Sequence, residues 1–479
     1  MDGPIISSLA TPLAAIATES ARQPLDAVVI GAGSAGITTA RTLVEQGKRV
    51  GLIETGPLGL LTHIQSTDLR FDPNLVRTVQ QGFQYSPLSA DGSPFGALIA
   101  CVGGRGMFWN GAAPRFKAAD FDGWPFGLGD LEPYYTWAEG QFRVTRAYGN
   151  GRLGQEVCRR LRDKGIPAEP GPFAVDDHYT ADGWLAGTIG NSLAPLLRTT
   201  LLTSPTRQLV LAVRSFAAKV LLEQGHVRGV QAIDLETGTS YELFARSVVL
   251  AGGAFESVRL AMASGVPDPN GLIGRFISDH IFIRAYYPID DGLYDPAQPE
   301  VAVTWVPAGD GRQYQLEIHL PADNLFLLKE STVWKPDTSA YYAAMVRSFA
   351  PVQPRRDNYL ELLPGNAPGK FRVHLSLDAD DQRLKQTQIA ALEQVRIALG
   401  AQSAPIQEMP QGASHHEAGG LCLGNDPKSS VADPFGRIRG LSGLLAFDSA
   451  TWPDVSPANP HLTIVAVARR QALQLASDL

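Results

Sequence analysis

The clearest pattern of hydrophobic and polar positions lies near the N-terminal end of the chain. A short apolar run at Ala27-Val28-Val29-Ile30 precedes a glycine-rich hexapeptide at residues 31–36. Apolar residues then recur at helical spacing up to Gly47, and a second apolar run occupies residues 50–53. This pattern predicts a strand, a turn, a helix and a strand, which form a compact βαβ unit with a right-handed crossover.

Similar patterns return in the middle of the chain and at its end. Strands are predicted at residues 208–213 and 227–235, joined through residues 217–223, and a buried strand is predicted at residues 247–250. The run at residues 444–447 and a helix from residue 460 to about 477 repeat the strand–helix order. A mononucleotide-type fold is therefore expected at both ends of the chain.

The pattern changes between residues 286 and 413. β-like runs occur there at residues 315–319 and 372–377, followed by a long helical pattern over residues 382–399. This part is expected to form a second domain that is built on a sheet. At the other extreme, the uncharged stretch 3–18 is interrupted by prolines, and we expect it to be a loose tail or cap.

Composition and charge narrow the function. A chain of 479 residues with 44% hydrophobic and 19% charged residues suits a folded, soluble protein of two or three domains. The net charge of −7 provides no basic field for nucleic acid or anionic lipid, and no apolar run is long enough to span a membrane. Cys101, Cys158 and Cys422 are too few and too dispersed for a disulfide framework or a thiolate metal site. No metal is therefore expected, and a reducing, cytoplasmic compartment is predicted.

The glycine-rich hexapeptide fits the dinucleotide fingerprint G-x-G-x-x-G in the required context, after a strand and at the start of a helix. Gly31 permits the tight turn, Gly33 lets the backbone approach a pyrophosphate, and Gly36 lets helix and strand pack closely. Glu54 ends the second strand, where a carboxylate can accept hydrogen bonds from a ribose. The motif predicts a dinucleotide site but does not separate NAD from FAD.

Five further blocks resemble the glucose-methanol-choline (GMC) flavoprotein oxidoreductases. They are Gly103-Gly104-Arg105-Gly106-Met107-Phe108-Trp109-Asn110-Gly111, the segment from Trp124-Pro125 to Ala138-Glu139, the segment from Ala251-Gly252-Gly253-Ala254 to Ser264-Gly265, Gly274-Arg275 with Asp279-His280, and His416-Glu417-Ala418-Gly419-Gly420 with Ala458-Asn459-Pro460-His461. The chain departs from the family at Ser257-Val258, where the family usually carries Ser-Pro, and residues 286–413 contain no recognisable phrase.

The resemblance implies the fold and the cofactor. It implies an α/β chain, α+β overall, with a Rossmann-like FAD-binding domain at residues 20–115, 200–285 and 415–479. Residues 116–199 are expected to connect to the substrate side, and residues 286–414 to form a substrate-binding domain on a mainly antiparallel sheet. The second glycine block resembles the pyranose-oxidase branch. In some members of that branch a histidine holds the flavin covalently. Phe108 takes the corresponding place here, and because a phenyl ring cannot form that bond, noncovalent FAD is expected.

The resemblance also implies an oxidation of a CH–OH group to a carbonyl. It puts His416 in the place of the general base, with an ordinary histidine pKa of about 6.5. Asn459 would hold the substrate oxygen, although Asn459 would equally suit an N-cap of the last helix. His461 is the alternative second polar group, whereas His415 and His280 are expected to be structural.

The remaining expected cofactor contacts are spread over the chain. Asp448 would help to hold the ribityl and phosphate part of the flavin, with a strand-end turn as the alternative. Trp109 and Asn110 would lie near the isoalloxazine. The full set of expected cofactor-binding residues is Gly31, Gly33, Ser34, Ala35, Gly36, Glu54, Gly104, Met107, Trp109, Asn110, Val213, Asp448, Pro460 and His461.

Several functions stay open at this stage. The favoured substrate is a sugar, a glycoside or an amino sugar, with O₂ or a quinone-like molecule as electron acceptor. A non-sugar alcohol is an alternative substrate. A non-redox lyase or photochemical enzyme of the same fold, or a flavin-binding protein without turnover, would also fit the resemblance. The reduction of bound flavin by substrate separates these classes.

Overall fold

The computed structural model describes residues 9–67, 69, 72–179, 185–196, 208–289, 292–295, 300–320, 343–365 and 367–479. Its strands are β1 Leu25–Ile30, β2 Val50–Ile53, β3 Gln84–Tyr85, β4 Leu88–Ser89, β5 Leu98–Ile99, β6 Val144–Thr145, β7 Glu169–Pro170, β8 Phe173–Tyr179, β9 Leu185–Ile189, β10 Leu209–Ala212, β11 Ser215–Glu223, β12 His226–Asp234, β13 Ser240–Leu250, β14 His280–Pro288, β15 Ala302–Val306, β16 Gln315–Leu320, β17 Ala343–Pro351, β18 Tyr359–Leu362, β19 Phe371–His374, β20 Gln407–Glu408 and β21 Leu444–Ala446. Its helices are α1 Leu13–Arg22, α2 Ser34–Glu45, α3 Pro73–Gln81, α4 Leu128–Phe142, α5 Ala147–Asn150, α6 Arg152–Arg162, α7 Ala254–Ala263, α8 Ala379–Leu399 and α9 His461–Asp478. Short 3₁₀ turns occupy Ile64–Ser66, Gly104–Met107, Ala118–Phe121 and Ser449–Thr451.

A seven-stranded sheet contains the predicted βαβ unit. Its strand order is β10-β2-β1-β13-β12-β11, and β21 also pairs with β13. Strands β10, β2, β1, β13 and β21 are parallel, with Ala27 opposite Val50 in the central pair. Val28 and Val29 point to opposite faces and are both fully buried, as expected for a parallel sheet that is covered on both sides. The βαβ prediction is therefore confirmed.

Strand β13 belongs to two pairing systems. Its first half pairs with β12 in an antiparallel hairpin, and its second half, from Ala245 to Leu250, lies between β1 and β21. Residues 217–223, which were expected to be a connection, lie instead in strand β11. The difference arises because β11 pairs with β12 along its whole length and helix α7 packs against it.

The second sheet supplies the other wall of the site. It is antiparallel, with the order β20-β14-β17-β16-β15-β7, and helix α8 packs across β14 and β17. The predicted sheet and helix of this region are therefore present. Of the β-like run at 372–377, however, only residues 372–374 belong to a strand, β19. This strand lies in a separate three-stranded sheet with β18 and β4. The α/β fold class is confirmed, and the domain boundaries stay a prediction.

The N-terminal prediction was wrong in part, because Leu13–Arg22 forms helix α1 rather than a loose tail. Leu13 and Ile16 are buried, and the Ser20 hydroxyl accepts a hydrogen bond from the backbone N–H of Phe244 in β13. The helix thus covers one face of the first sheet. Among the described residues, the helices are too short or too polar to cross a lipid bilayer.

Candidate active site

A cavity of about 420 Å³ lies between the carboxyl edge of the parallel strands and the second sheet. Its size and its position are typical of ligand sites in α/β proteins. Strands β14 and β17 contribute Phe282, Arg347 and Phe349 to the wall. The expected site residues in the wall are Gly31, Gly33, Ser34, Ala35, Glu54, Gly104, Trp109, Asn110, His416, Asp448, Asn459, Pro460 and His461.

Three expected cofactor-binding residues lie outside this wall. Gly36 packs against the turn, since a Cβ there would lie 1.8 Å from the carbonyl oxygen of Gly31. Met107 is fully buried beneath the second glycine block, and Val213 packs with the hydrophobic core beside β10. The role of Gly36 is thus the close packing that the fingerprint predicts, and the side chains of Met107 and Val213 do not reach the cavity.

The glycine turn leaves one open approach to the backbone. Gly31 has φ +96°, and a Cβ at this residue would lie 2.5 Å from the carbonyl oxygen of Ala251. Gly33 is the N-cap of helix α2 and provides no side-chain cap, and a Cβ at Gly33 would meet no other atom within 4 Å. The first backbone N–H groups of α2 are therefore accessible from the cavity, where an anion is stabilised by these donors and by the helix dipole.

Glu54 holds the turn and also faces the cavity. Its Oε2 accepts a hydrogen bond from the N–H of Ala32, and its Oε1 accepts one from the N–H of Gly56, both at 2.8 Å. Burial raises the pKa of this carboxyl group to about 7, and the two backbone donors oppose that rise. Each carboxylate oxygen retains a free lone pair, so Glu54 can still accept a ribose hydroxyl.

His461 lies at the same end of the cavity as the glycine turn. Its ring stacks on Trp109 with 3.9 Å between the ring centroids, and its Nε2 is 3.1 Å from the Ser34 hydroxyl. Burial lowers the pKa of His461 to about 3, so the ring is neutral. This engagement with Ser34 disfavours His461 as the second polar group beside the substrate.

Asp448 connects two turns at the edge of the parallel strands. Its Oδ2 accepts hydrogen bonds from the Gly253 N–H at 2.8 Å and from the Ser257 hydroxyl at 2.6 Å, while its Oδ1 accepts one from the Ala450 N–H at 3.0 Å. Burial raises the pKa of Asp448 to about 6. The carboxylate thus serves the strand-end turn, and it also forms part of the cavity wall.

His416 also lies in the cavity wall. Its Nδ1 is 2.8 Å from Nδ1 of His280, and Nε2 of His280 is 2.7 Å from the carbonyl oxygen of Ser456. Burial, reinforced by the positive charge of nearby groups, lowers the pKa of His416 well below its ordinary value of 6.5. The ring is therefore neutral at physiological pH and able to accept a proton.

Asn459 does not cap the last helix. The N-cap of α9 is Pro460, which makes no side-chain cap, so the capping interpretation was wrong. The Asn459 side-chain oxygen instead accepts a hydrogen bond of 2.5 Å from the amide of Gln315 in β16. A link to the second sheet thus fixes the side chain of Asn459.

A buried polar cluster extends from Gln315 along the second sheet. Arg347 donates from Nη2 to Glu317 at 2.6 Å and to Nε2 of His319 at 3.1 Å. Nε of Arg347 and Oε1 of Glu317 are buried without a hydrogen-bond partner. Of this cluster, Arg347 also lines the cavity, and its contacts with Glu317 and His319 hold it there.

Two buried acids hold the segment that carries His416. Arg105 forms an ion pair with Glu417 and also donates to the His415 carbonyl oxygen at 3.0 Å. Asp279 accepts hydrogen bonds from the Ser414 hydroxyl and from the Gly412 N–H. These contacts fix the main chain on both sides of His416. His415 itself lines the cavity, and its structural role stays a prediction.

Comparisons with known proteins identify the family. An N-terminal family model, described as GMC oxidoreductase, matches residues 25–282, and a C-terminal model of the same description matches residues 354–468. The chain belongs to the GMC oxidoreductase family. It is therefore an enzyme of a flavoprotein family, as the sequence resemblance predicted. The likeness to the pyranose-oxidase branch stays a prediction.

Relatives of this GMC oxidoreductase include sugar oxidases. It is 25% identical to a C-glycoside 3-oxidase of Microbacterium trichothecenolyticum, over 95% of this chain and 97% of the relative. It is 26% identical to a paromamine 6'-oxidase of Streptomyces fradiae, over 95% of this chain and 92% of the relative. The crystal structure of a pyridoxine 4-oxidase from Mesorbium loti matches with a TM-score of 0.68 at 18% identity, covering 94% of this chain and 99% of that chain.

The polar cluster on the second sheet of this GMC oxidoreductase was not predicted from the sequence. Gln315, Glu317 and His319 alternate with apolar residues, a pattern that ordinarily indicates one solvent-exposed face. All six residues of β16 are buried. The available signal was that several strongly polar residues lie on one face of a strand in the expected substrate domain, because buried polar side chains need a partner or a ligand.

Proposed function

We propose that this GMC oxidoreductase oxidises a hydroxyl group of a sugar, a glycoside or an amino sugar to a carbonyl, with noncovalently bound FAD as cofactor. One observation carries the proposal. The same cavity is lined by the open N-terminus of helix α2 and by His416 and Asn459. A dinucleotide site and a neutral base are thus accessible from the same space.

The residues at the glycine turn fit the cofactor. The backbone donors at Gly33 and Ser34 suit a pyrophosphate, and Glu54 suits the adenosine ribose. The N-terminus of helix α9, at Pro460 and His461, would favour negative charge on a bound ring. When it is bound, FAD supplies the ring nitrogen that accepts a hydride.

Phe108 supports noncovalent attachment. Its phenyl ring lines the cavity and lacks a nucleophilic atom that could bond to a flavin. Acid precipitation of the purified protein should therefore release all the yellow chromophore into the supernatant. Colour retained in the washed precipitate would contradict noncovalent binding.

His416 and Asn459 carry the proton chemistry in this proposal. The neutral imidazole of His416 takes the proton of the substrate hydroxyl, which is the usual task of a histidine general base. The amide of Asn459, held by Gln315, orients the substrate oxygen as negative charge develops on it. Both side chains lie in the cavity wall, and neither needs a metal ion for these tasks.

The substrate class follows from the polar wall and from the relatives. Arg347 lines the cavity, and its guanidinium suits a ligand that offers several hydroxyl groups. The activities of the C-glycoside 3-oxidase and the paromamine 6'-oxidase point to the same substrate class. Both relatives are oxidases, which supports O₂ as electron acceptor over a quinone-like molecule.

An anaerobic titration tests the proposal. The flavin-loaded protein is mixed with a panel of sugars, glycosides, amino sugars and simple alcohols, and the flavin absorbance is recorded. A member of the sugar groups should bleach the flavin, and admission of air should restore the colour if O₂ is the acceptor. Bleaching by simple alcohols alone would overturn the substrate class, and an unbleached flavin with consumed substrate would favour the lyase alternative.

A further inference from the structure

His280 lies directly behind His416, on the side away from the cavity. It is the first residue of β14 and is 4% exposed, whereas His416 is half-buried and lies in the cavity wall. The ring of Phe349 contacts both imidazoles, with centroid distances of 5.7 Å to His280 and 5.3 Å to His416. The two rings are therefore held in a fixed relative position.

The hydrogen bonds determine which nitrogen of His280 carries the proton. Nε2 of His280 is 2.7 Å from the Ser456 carbonyl oxygen, and a carbonyl oxygen only accepts hydrogen bonds. Nε2 must therefore be protonated. Burial lowers the pKa of His280 to about 4, so the ring is neutral at physiological pH and its Nδ1 carries a lone pair.

The position of the proton on His280 also determines which nitrogen of His416 is protonated. Nδ1 of His416 is 2.8 Å from Nδ1 of His280. Because Nδ1 of His280 carries a lone pair and no proton, this contact is a hydrogen bond only if His416 carries its proton on Nδ1. A neutral His416 that is protonated on Nδ1 has an unprotonated Nε2. The Ser456 carbonyl thus determines the state of His416 through one intervening ring.

We infer that His280 is a positioning residue that holds His416 in the Nδ1-protonated tautomer, so that Nε2 is the atom that takes the substrate proton. The inference rests on the proposed function. In the step, the O–H bond breaks and its proton forms a new bond to Nε2 of His416, while the O–H electron pair becomes the second bond of the carbonyl group. The C–H bond breaks at the same carbon, and FAD, when bound, would accept the hydride that is released. The resulting imidazolium keeps its Nδ1–H donated to His280.

The surroundings of His416 otherwise disfavour this imidazolium. The groups that face it are His280, His415, Arg105 and Arg347, and the two arginines are paired with Glu417 and Glu317 respectively. Each glutamate is paired with its arginine, so its negative charge is compensated there and not by the ring of His416. The unprotonated Nδ1 of His280 is therefore the acceptor that stabilises the charge that forms on His416.

Two matched variants separate the two hydrogen bonds of His280. In His280→Asn the amide oxygen can occupy the position of Nδ1 and accept from His416, while the bond to Ser456 is lost. In His280→Gln the amide nitrogen can occupy the position of Nε2 and donate to Ser456, while the acceptor for His416 is lost. Each variant keeps one bond, so a general loss of packing affects both alike.

The tautomer can be measured without turnover. The protein is labelled with ¹⁵N at Nε2 of its histidines, and the His416 signal is assigned by its absence in His416→Ala. We expect an unprotonated Nε2 signal for His416 in the wild type and in His280→Asn, and a protonated or mixed signal in His280→Gln. A protonated Nε2 in the wild type, or the same unprotonated signal in His280→Gln, would overturn the inference.

Flavin reduction in the loaded enzyme provides the second measurement. His280→Gln should reduce its flavin about 10²-fold more slowly than the wild type, at the lower end of the usual contribution of a general base, whereas His280→Asn should stay within about threefold. Equal rates of flavin reduction in the two variants would show that His280 contributes packing and not the orientation of the His416 proton. If no sugar, glycoside, amino sugar or simple alcohol reduces the flavin of the wild type, the proposed function fails. The ¹⁵N measurement would still decide the tautomer of His416.

Discussion

Two parts of the cavity wall, called the turn end and the histidine end, are built from different kinds of atoms. The turn end, formed by Gly31, Gly33 and Ser34, offers backbone N–H groups at a helix start. The histidine end, formed by His416 and Asn459, offers buried side chains that are held by the second sheet and by the loop before α9. Local backbone shape thus provides the anion site, whereas the proton site depends on contacts between distant segments.

The largest effect is expected at the histidine end. His416→Ala removes the proposed base, so flavin reduction should slow by about 10² to 10⁴, the usual range for a positioned acid or base. The variant should still fold and retain FAD, because the turn end is unchanged. Stopped-flow absorbance under anaerobic conditions measures the rate. A rate within a few-fold of the wild type would move the base to another residue.

The pH profile of the wild type sharpens the same test. An ordinary histidine would make the rate rise between pH 6 and 7, but the buried position of His416 lowers its pKa well below 6.5. Since the base is neutral above its pKa, the rate of flavin reduction should be flat between about pH 6 and 8 and should fall only at lower pH. An inflection between pH 6 and 7 that disappears in His416→Ala would show that this pKa is not depressed.

A smaller effect is expected at the turn end. Gly33→Ala places a methyl group in open space, so the protein should fold normally, but the methyl occupies the approach of a pyrophosphate. FAD affinity should fall by about tenfold or more, since overpacking typically costs about 1 to 3 kcal/mol. Gly140→Ala, at another open position with no role in the cavity, is the matched control. Equal FAD affinity in both variants would remove Gly33 from the cofactor site.

The smallest effect concerns stability without cofactor. The pKa of Glu54 is about 7 in the folded protein and about 4.5 when unperturbed, so between these values the folded state holds a proton that the unfolded state has released. Stability therefore decreases as pH rises through this window. Asp279 and Asp448 act in the same direction, because burial raises both of their pKa values.

Glu54→Gln tests that contribution. Between pH 5 and pH 8, the unfolding free energy of the wild-type apoprotein should decrease by roughly 1 to 3 kcal/mol more than that of the variant, as the size of the pKa shift implies. Urea denaturation at several pH values measures it. Identical pH dependence in the two proteins would mean that the carboxyl group ionises normally when folded.

Sequence patterns predicted the turn end well because its determinants are local. Strand β1, the glycines and helix α2 occupy about twenty consecutive residues, and their spacing alone specifies the turn. Helix α1 was missed because its stability comes from Leu13 and Ile16 packing on the first sheet, and prolines before it suggested a loop. Tertiary packing decided that segment against its local signal.

The histidine end was only partly predictable. The family resemblance pointed to His416 and Asn459, but Gln315 and His280 entered the site through pairings of strands that are remote in sequence. A helix cap was the natural local interpretation of Asn459 before a proline. The contact with Gln315 replaced it, because β16 brings a buried amide to the same place.

The long strand β13 has a consequence for how the chain reaches its folded state. Its pairing with β1 joins residues about 220 positions apart along the chain, and its pairing with β21 joins residues about 196 positions apart. Closing so large a loop is entropically unfavourable, and such contacts slow folding. During synthesis, residues 248–250 of β13 have one unpaired edge until residues 444–446 have been made. We therefore expect the newly made chain to be prone to aggregation at that edge until its last strand and helix have been synthesised.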